Sequence, residues 1–415
     1  MKLEKFDKNK NKKRILIGSL ILILLLIGGI NLYRTFALYE EKKEFNVLRG
    51  RVPKFGSKIQ YYLDDVPQES APVKGAYGVK VSCDKEVEYS WNREEWKLNL
   101  PEGIKTISCD VKFYTMPDNF SGYIMKLSFF DDSVIQDEHA ETTQTGANAK
   151  TDYRYVGANP NNYVCLEANG NCKTEEGEID NNKLYRIIGV IPTQSSEDGE
   201  YKNRVKLIKA TSIGGYIWSG SSTNKSNNWT ASTLNTQILN QTYWTGISSY
   251  QKYIDPTKWY LGGFDLSVTI SNIYIAERGS TGGKTSPTTI STIANIGLIY
   301  LSDYGYATSG GTTGRKNCLD FTFTSGDWGN TSNNTNKQCR LNDWLYTNSD
   351  FWTITPGTGS TTAWYLDSSS IAQNTLSYHY TSLYGILPVF HLKADVEYNG
   401  GDGSYNNPYT IKLGS

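Results

Sequence analysis

FWTITPGTGSTTAWYLDSSSIAQNTLSYHYTSLYGILPVFHLK, residues 351–393, reads as three short strands separated by two polar stretches. Phe351–Thr355, Ala363–Asp367 and Ile386–Lys393 are rich in aromatic and branched residues and bounded by Gly, Ser and Pro. Between the second and third lies Leu366–Tyr384, dense in Ser, Thr, Asn and Tyr. Such residues pair adaptable hydrogen bonding with rigid aromatic contact, the chemistry of antibody paratopes. The candidate ligand contacts are Trp364, Tyr365, Asn374, Tyr378, His379, Tyr380 and Tyr384. The plain alternative is strand residues alternating between core and solvent.

Working outward, the preceding two hundred residues keep this β-rich character. Leu184–Ile191 and Arg204–Ile213 read as paired strands joined by a polar turn. Thr230–Tyr243 is the best helix, capped by Thr230 or Ser232, with Leu234, Ile238 and Leu239 facing inward. Gly297–Ala307 starts as a buried strand and leaves in a Gly- and Tyr-rich loop, and Arg340–Tyr346 is a short-helix candidate. Gly400–Asn407 is a turn before a last strand, Tyr409–Leu413. Residues 152–415 therefore read as one large domain.

Upstream, residues 73–130 hold the strand candidates Tyr77–Ser82, Glu86–Trp91, Lys97–Leu100, Lys105–Phe113 and Tyr123–Phe129, with half-buried alternation in Val79-Lys80-Val81 and Val111-Lys112-Phe113. A small immunoglobulin-like β-sandwich is the expectation, with a Cys-Trp-Cys order but a shorter interval than in true immunoglobulin domains. Two polar stretches flank it. Residues 34–72, ending in DDVPQESAP, read as stalk and linker, and residues 131–151 as a second linker.

At the N-terminus, residues 1–14 hold seven Lys and Arg against Glu4 and Asp7. The apolar run Ile15–Tyr33 follows, roughly 28 Å long as a helix at about 1.5 Å per residue. That length suits a membrane core, and the basic flank orients it, so a single transmembrane anchor (15–33) is expected, with residues 1–14 cytoplasmic and the rest outside the cell. A cleaved signal peptide is the rival, but Thr35-Phe36-Ala37 is a poor cleavage site. The remaining chain carries 35 Lys and Arg against 40 Asp and Glu, an acidic balance that argues against nucleic acid as a partner.

Six cysteines, Cys83, Cys109, Cys165, Cys172, Cys318 and Cys339, form an even count suited to disulfides outside the cell. Fifteen pairings are open, and the simplest is local: Cys83–Cys109, Cys165–Cys172 and Cys318–Cys339. No CxxC spacing occurs, which disfavours zinc.

YRYVGANPNNYV (153–164), LYRIIGV (184–190), TKWYLGG (257–263), IGLIYLSDYGYAT (296–308), FWTITP, AWYLDSSS, ILPVFHLKADV (386–396) and GGDGSYNNPYTI (400–411) resemble an uncharacterised surface-protein family of low-GC Gram-positive bacteria. The order Trp352, Ala363-Trp364, Pro388-Val389 also resembles the C-type-lectin-like fold, in the branch of formylglycine-generating enzymes and retroelement variable proteins. Leu387 stands where that branch usually has Arg. The resemblance implies a C-type-lectin-like domain over 152–415, with Leu366–Tyr384 at the ligand face. The expected fold class is α+β and β-rich: one N-terminal transmembrane helix, a small β-sandwich, then a C-type-lectin-like domain with few short helices.

No GxSxG, HExxH or P-loop is present. His139 falls in a linker, His379 in the Tyr-rich loop, and His391 in a strand where core packing is the ordinary reading. Calcium is the candidate ion, at Asp402, Asn406 and Asn407 or at Asp320, Asp327, Asn330 and Asp343, with solvated turns as the ordinary reading. The favoured function is a membrane-anchored extracellular binding protein, adhesin-like or receptor-like, that takes a protein or glycan ligand without catalysis. A divergent formylglycine-type or hydrolytic enzyme and a structural envelope component are the alternatives.

Overall fold

The structure, a computed structural model, describes residues 57–101, 106–167, 172–197, 199–219, 227–264, 267–279, 290–323, 328, 337–346, 349–357, 362–366, 372–375 and 383–414. The chain divides into two units, Met1–Lys58 with Glu102–Ile107 and Ile59–Pro101 with Ser108–Ser415. Of the first only residues 57, 58, 106 and 107 are described, and the account below concerns the second.

The expected transmembrane helix is corrected: among the described residues no helix is long and apolar enough to cross a membrane. Ile15–Tyr33, the run that prompted it, lies outside those residues.

The expected β-sandwich is also corrected. Strands β1 (Lys58–Leu63), β2 (Val66–Gln68), β3 (Tyr77–Cys83) and β6 (Ser108–Thr115) form one four-stranded sheet in the order β2-β1-β6-β3. Among the described residues no second four-stranded sheet occurs. Instead the hairpin β4 (Ser90–Asn92) and β5 (Lys97–Asn99) brings Trp91 and Trp96 onto Phe113, with ring centroids 5.1 and 5.5 Å away. Neighbouring strand residues face opposite sides, so Tyr114 covers the other face and stacks on Phe130 at 5.6 Å. Two indoles and a helix end thus do the covering that a second sheet does in a sandwich. Val66–Gln68, read as linker, pairs with β1 because Asp64 and Asp65 turn the chain at positive φ.

Helix α1 (Phe120–Leu127) stands where a strand, Tyr123–Phe129, was expected. Phe120, Ile124 and Leu127 recur at helical spacing and are all buried. Asn119 caps the start, its side-chain oxygen accepting from Gly122 N at 2.8 Å. The helix docks through Tyr123, whose ring lies 4.1 Å from that of Tyr398 at 10°.

The polar stretch 131–151, read as linker, is folded as well. It contributes β7 (Val134–Glu138), the edge partner of β8 (Thr151–Tyr155), and buries Asp137, His139, Thr142 and Thr145. Short polar residues bonded to one another, such as Thr142 to Thr145 at 2.7 Å, give it the look of a linker.

The main sheet has nine strands. β9 (Tyr163–Cys165), β10 (Leu184–Gln194), β11 (Tyr201–Lys209), β13 (Ile254–Asp255), β20 (Val389–Leu392), β21 (Val396–Gly400) and β22 (Tyr409–Leu413) run in the order β13-β20-β11-β10-β9-β22-β21, while β8 pairs with β10. Strand β10 pairs with β9 over its first residues and, past an irregularity at Ile187/Gly189, with β8. Gly189 permits the switch, because a Cβ there would stand 2.2 Å from Tyr153 O. Strand β22 is parallel to β9 and antiparallel to β21.

A five-stranded sheet, in the order β12-β19-β16-β17-β18, lies beside it: β12 (Gly215–Tyr216), β16 (Phe351–Pro356), β17 (Ala363–Leu366), β18 (Ala372–Thr375) and β19 (Tyr384–Gly385). The hairpin of β14 (Thr257–Tyr260) and β15 (Ser291–Ala294) completes the strands. A 3-10 turn, Trp229–Ala231, precedes a π-helix, Leu234–Tyr243, which buries Leu234 and Leu239. Helices α2 (Ile270–Glu277) and α3 (Leu301–Tyr306) cover the core. Helix α3 falls where strand and loop were expected. Its start is fixed by a side chain: Tyr300 N donates to Asp303 Oδ2 at 3.0 Å.

Three disulfides join Cys83–Cys109, Cys165–Cys172 and Cys318–Cys339, the local pairing. Such bonds persist in oxidising compartments outside the cytoplasm.

Candidate functional site

The expected ligand residues separate. Trp364 and Tyr365 are core residues, 1 % and 6 % exposed. Strand β17 lies between β16 and β18, and its alternating side chains meet packed groups on both faces. Trp364 stacks on Phe264 at 4.8 Å, while Tyr365 stands edge-on to Trp352 at 5.8 Å. Neither ring is free to meet a ligand. Tyr384 is half-buried and lies over Tyr365, centroids 4.3 Å apart. Asn374 sits on β18 in register with Trp364. Tyr378, His379 and Tyr380 lie outside the described residues. Next to Tyr384, Leu383 is 69 % exposed.

This corner is rigid beneath. Trp352 donates its indole N–H to Tyr216 O at 2.8 Å and packs against Tyr384 at 4.7 Å. Of residues 367–383, Ala372–Thr375 pair with β17 as β18, and Tyr384, just beyond the stretch, stacks on Tyr365.

A second cluster escaped the sequence reading. Arg154 on β8 donates to Asp152 Oδ2 through Nε and Nη2, at 3.0 and 2.8 Å, and to Asp303 Oδ1 through Nη1 at 2.9 Å. Lys206 on β11 reaches Asp303 Oδ2 at 2.5 Å. His139 Nε2 lies 3.0 Å from Asp152 Oδ1, with its ring stacked on Tyr274 at 3.6 Å. Arg278 lies over the other ring contacts of this core, 3.6 Å from the Tyr274 centroid and 5.0 Å from that of Tyr300. Glu277 accepts from Ser302 Oγ and from Thr355 Oγ1, the latter at 2.7 Å.

Burial sets the charges. It penalises every ion here, and partners decide which ions persist. Burial pulls the Asp303 carboxyl upward, but Lys206 and Arg154 outweigh it and hold the group down at about 2. Lys206 is brought down to about 8, chiefly by burial. Burial pushes Glu277 above the ordinary carboxylate range, ahead of the opposing pull of Arg278.

The groups of this cluster are sealed: Asp152, Glu277, Ser302 and Asp303 are 0 % exposed, and Arg154 and Lys206 1 %. A substrate has no route to them, and the charges of Arg154, Lys206, Asp152 and Asp303 meet one another. The arrangement ties β8, β11, α2, α3 and β16 together. No local sequence signal marks it, because Arg154 and Lys206 stand in strands that carry other charged residues, Asp152 on β8 and Lys202, Arg204 and Lys209 on β11.

The other reactive candidates resolve similarly. His391 is buried on β20, its Nδ1 2.9 Å from Thr257 Oγ1. Burial holds its proton affinity well down, with Lys206 and Arg204 adding to the effect. Asp255, its register partner on β13, turns instead to Arg204 and Ser195, both at 2.6 Å. All six cysteines are oxidised. Among the described residues no group of three or more His, Cys, Asp and Glu is placed to hold a metal ion. Asp402 serves its own turn, with Oδ1 accepting from Ser404 N at 2.9 Å. Asp343 is buried, which pushes its carboxyl far above the usual range. Asp327 and Asn330 lie outside the described residues.

No family model, curated protein or solved structure matches this chain.

Proposed function

We propose that the chain is an extracellular recognition protein without catalysis, adhesin-like or receptor-like, whose ligand is a protein or glycan met by residues 367–383. The observation that carries this reading is the packed base next to that segment in the chain, where Tyr384 stacks on Tyr365 and both rings meet Trp352. Polar, Tyr-rich sequence joined to a packed framework suits recognition, because a fixed framework lowers the ordering cost of binding. The three disulfides suit the same setting. The resemblance to variable proteins, where the matching stretch meets ligand, points the same way.

The test is binding by the chain produced in an oxidising host, against glycans, mucins, cell-wall fragments and host-surface proteins, with calcium and with chelator. Saturable binding lost in the triple variant Tyr378→Ala, His379→Ala, Tyr380→Ala supports the reading. A folded chain that binds nothing on the panel but self-associates overturns it in favour of a coat component.

A further inference from the structure

The pairing of Lys206 with Asp303 differs from an ordinary ion pair in its surroundings. Both groups are sealed from solvent, Lys206 on β11 within the nine-stranded sheet and Asp303 on α3, which packs on α2 and β16. The ammonium nitrogen is 2.5 Å from Asp303 Oδ2 and is walled by aromatic rings, 4.4 Å from the Tyr300 centroid and 5.5 Å from that of Trp259. On the far side of the carboxyl, Arg154 Nη1 donates to Oδ1 at 2.9 Å. A nucleophile, an acyl carbon and a cationic donor on the acyl oxygen are therefore fixed in one dry site.

We propose that Lys206 and Asp303 condense into an intramolecular amide, Nζ to Cγ, cross-linking β11 to α3. The step balances without any outside reagent. A proton passes from Nζ to Oδ2 along their hydrogen bond, turning ammonium and carboxylate into amine and acid. The amine lone pair attacks Cγ, forming the C–N bond, and the charge gathering on Oδ1 is met by Arg154. The C–Oδ2 bond then breaks, a second proton from nitrogen joins that oxygen, and one water leaves.

Three features favour the reaction. Fixed proximity replaces an encounter between separate molecules, which in well-oriented systems raises rates by many orders of magnitude. Low polarity favours the neutral amine and acid over the ion pair, and the drop of Lys206 toward about 8 is the same effect. A donor preset at the developing oxyanion lowers the barrier. The low proton affinity of Asp303 opposes the first proton transfer, so the amide forms slowly after folding. Expulsion of water from a closed core makes it one-way.

The experiment is intact-mass spectrometry of the full chain after reduction of its disulfides, on freshly purified protein and after prolonged incubation. The expected mass is lower than that of the sequence by one water. Digestion should yield a branched peptide joining the segments that contain Lys206 and Asp303. Lys206→Arg keeps the charge but removes the amine and should restore the full mass. The proposal is overturned if the incubated, folded wild-type chain has its full sequence mass, or if Lys206 and Asp303 are recovered in separate linear peptides. The decisive reading is made on the unsubstituted chain, so a variant that fails to fold leaves it intact.

Discussion

Tyr365 and Tyr384 stack with their ring centroids 4.3 Å apart and their planes at 26°. The contact clamps β19 to β17. Tyr384→Ala removes a ring pair worth about 0.5–1.5 kcal/mol beyond its buried area. Binding should weaken several-fold while the melting temperature falls only slightly, as read by titration and by thermal scanning on the same sample. Binding that is unchanged would separate the clamp from recognition.

Trp364 provides the contrast. It is buried on β17 against Phe264. Trp364→Ala should destabilise the chain by about 3–5 kcal/mol through cavity formation. Chemical denaturation should show the loss as a lower midpoint. If the variant keeps wild-type stability and loses only ligand, then Trp364 belongs to a ligand site after all.

Arg154 holds two carboxylates, Asp152 and Asp303, neither of which reaches water. Arg154→Met leaves Asp152 without its guanidinium and Asp303 with Lys206 alone, and should cost about 3–5 kcal/mol, the usual result of breaking a buried pair from one side. Replacing Arg154, Asp152 and Asp303 together by apolar residues should cost less than the single change. A denaturation series across these variants checks the order.

His391 gives a pH signature. Its folded-state proton affinity lies well below the ordinary 6.5, so the unfolded chain binds a proton that the fold refuses. Its contribution to stability is therefore complete above pH 6.5 and is lost as pH falls, by about 1.4 kcal/mol per unit. Glu277 and Asp343 slope the other way, since each is raised in the fold and favours it as pH drops. Comparing wild type with His391→Gln cancels them. The lead of the wild type over the variant should shrink steadily below pH 6.5 in denaturant melts, and a constant lead would refute the assignment.

The disulfide between Cys318 and Cys339 closes a separation of 21 residues. Replacing both with Ser should lower stability by about 3 kcal/mol on loop-entropy grounds. Trp328 donates its indole N–H to Cys318 O at 2.9 Å from within that loop. Its fluorescence should therefore shift in the double variant before global unfolding begins.

Much of this fold is legible in sequence where one local signal decides. The strands Leu184–Gln194 and Tyr201–Lys209 declare themselves by apolar runs around a turn, and the cysteines by closeness. Helix α1 is not legible in that way. Tyr123–Phe129 alternates well enough for a strand, and only the Asn119 cap together with the buried face of Phe120, Ile124 and Leu127 decides for helix. Helix α3 depends on Asp303, whose carboxyl caps it while also meeting Arg154 and Lys206 from distant strands. Charges within strands normally mark the solvent face. Here Arg154 and Lys206 point between packed layers, and only the assembled layers reveal it. Trp364 and Tyr365 mislead for the same reason, because an aromatic pair beside a Ser-rich stretch looks like a contact surface until both strand faces are seen to be covered.

Strand β22, Tyr409–Leu413, lies inside the nine-stranded sheet, parallel to β9 on one side and antiparallel to β21 on the other. A chain emerging from a ribosome or a secretion channel therefore delivers β9 and β10 long before the strand that closes over them arrives. Until then β9 offers an open edge that any extended segment can borrow, and long-range parallel pairing is slow. Completion of this sheet thus waits on β22, and the interval of waiting is when an escort protein, or a misplaced neighbour, has its opportunity.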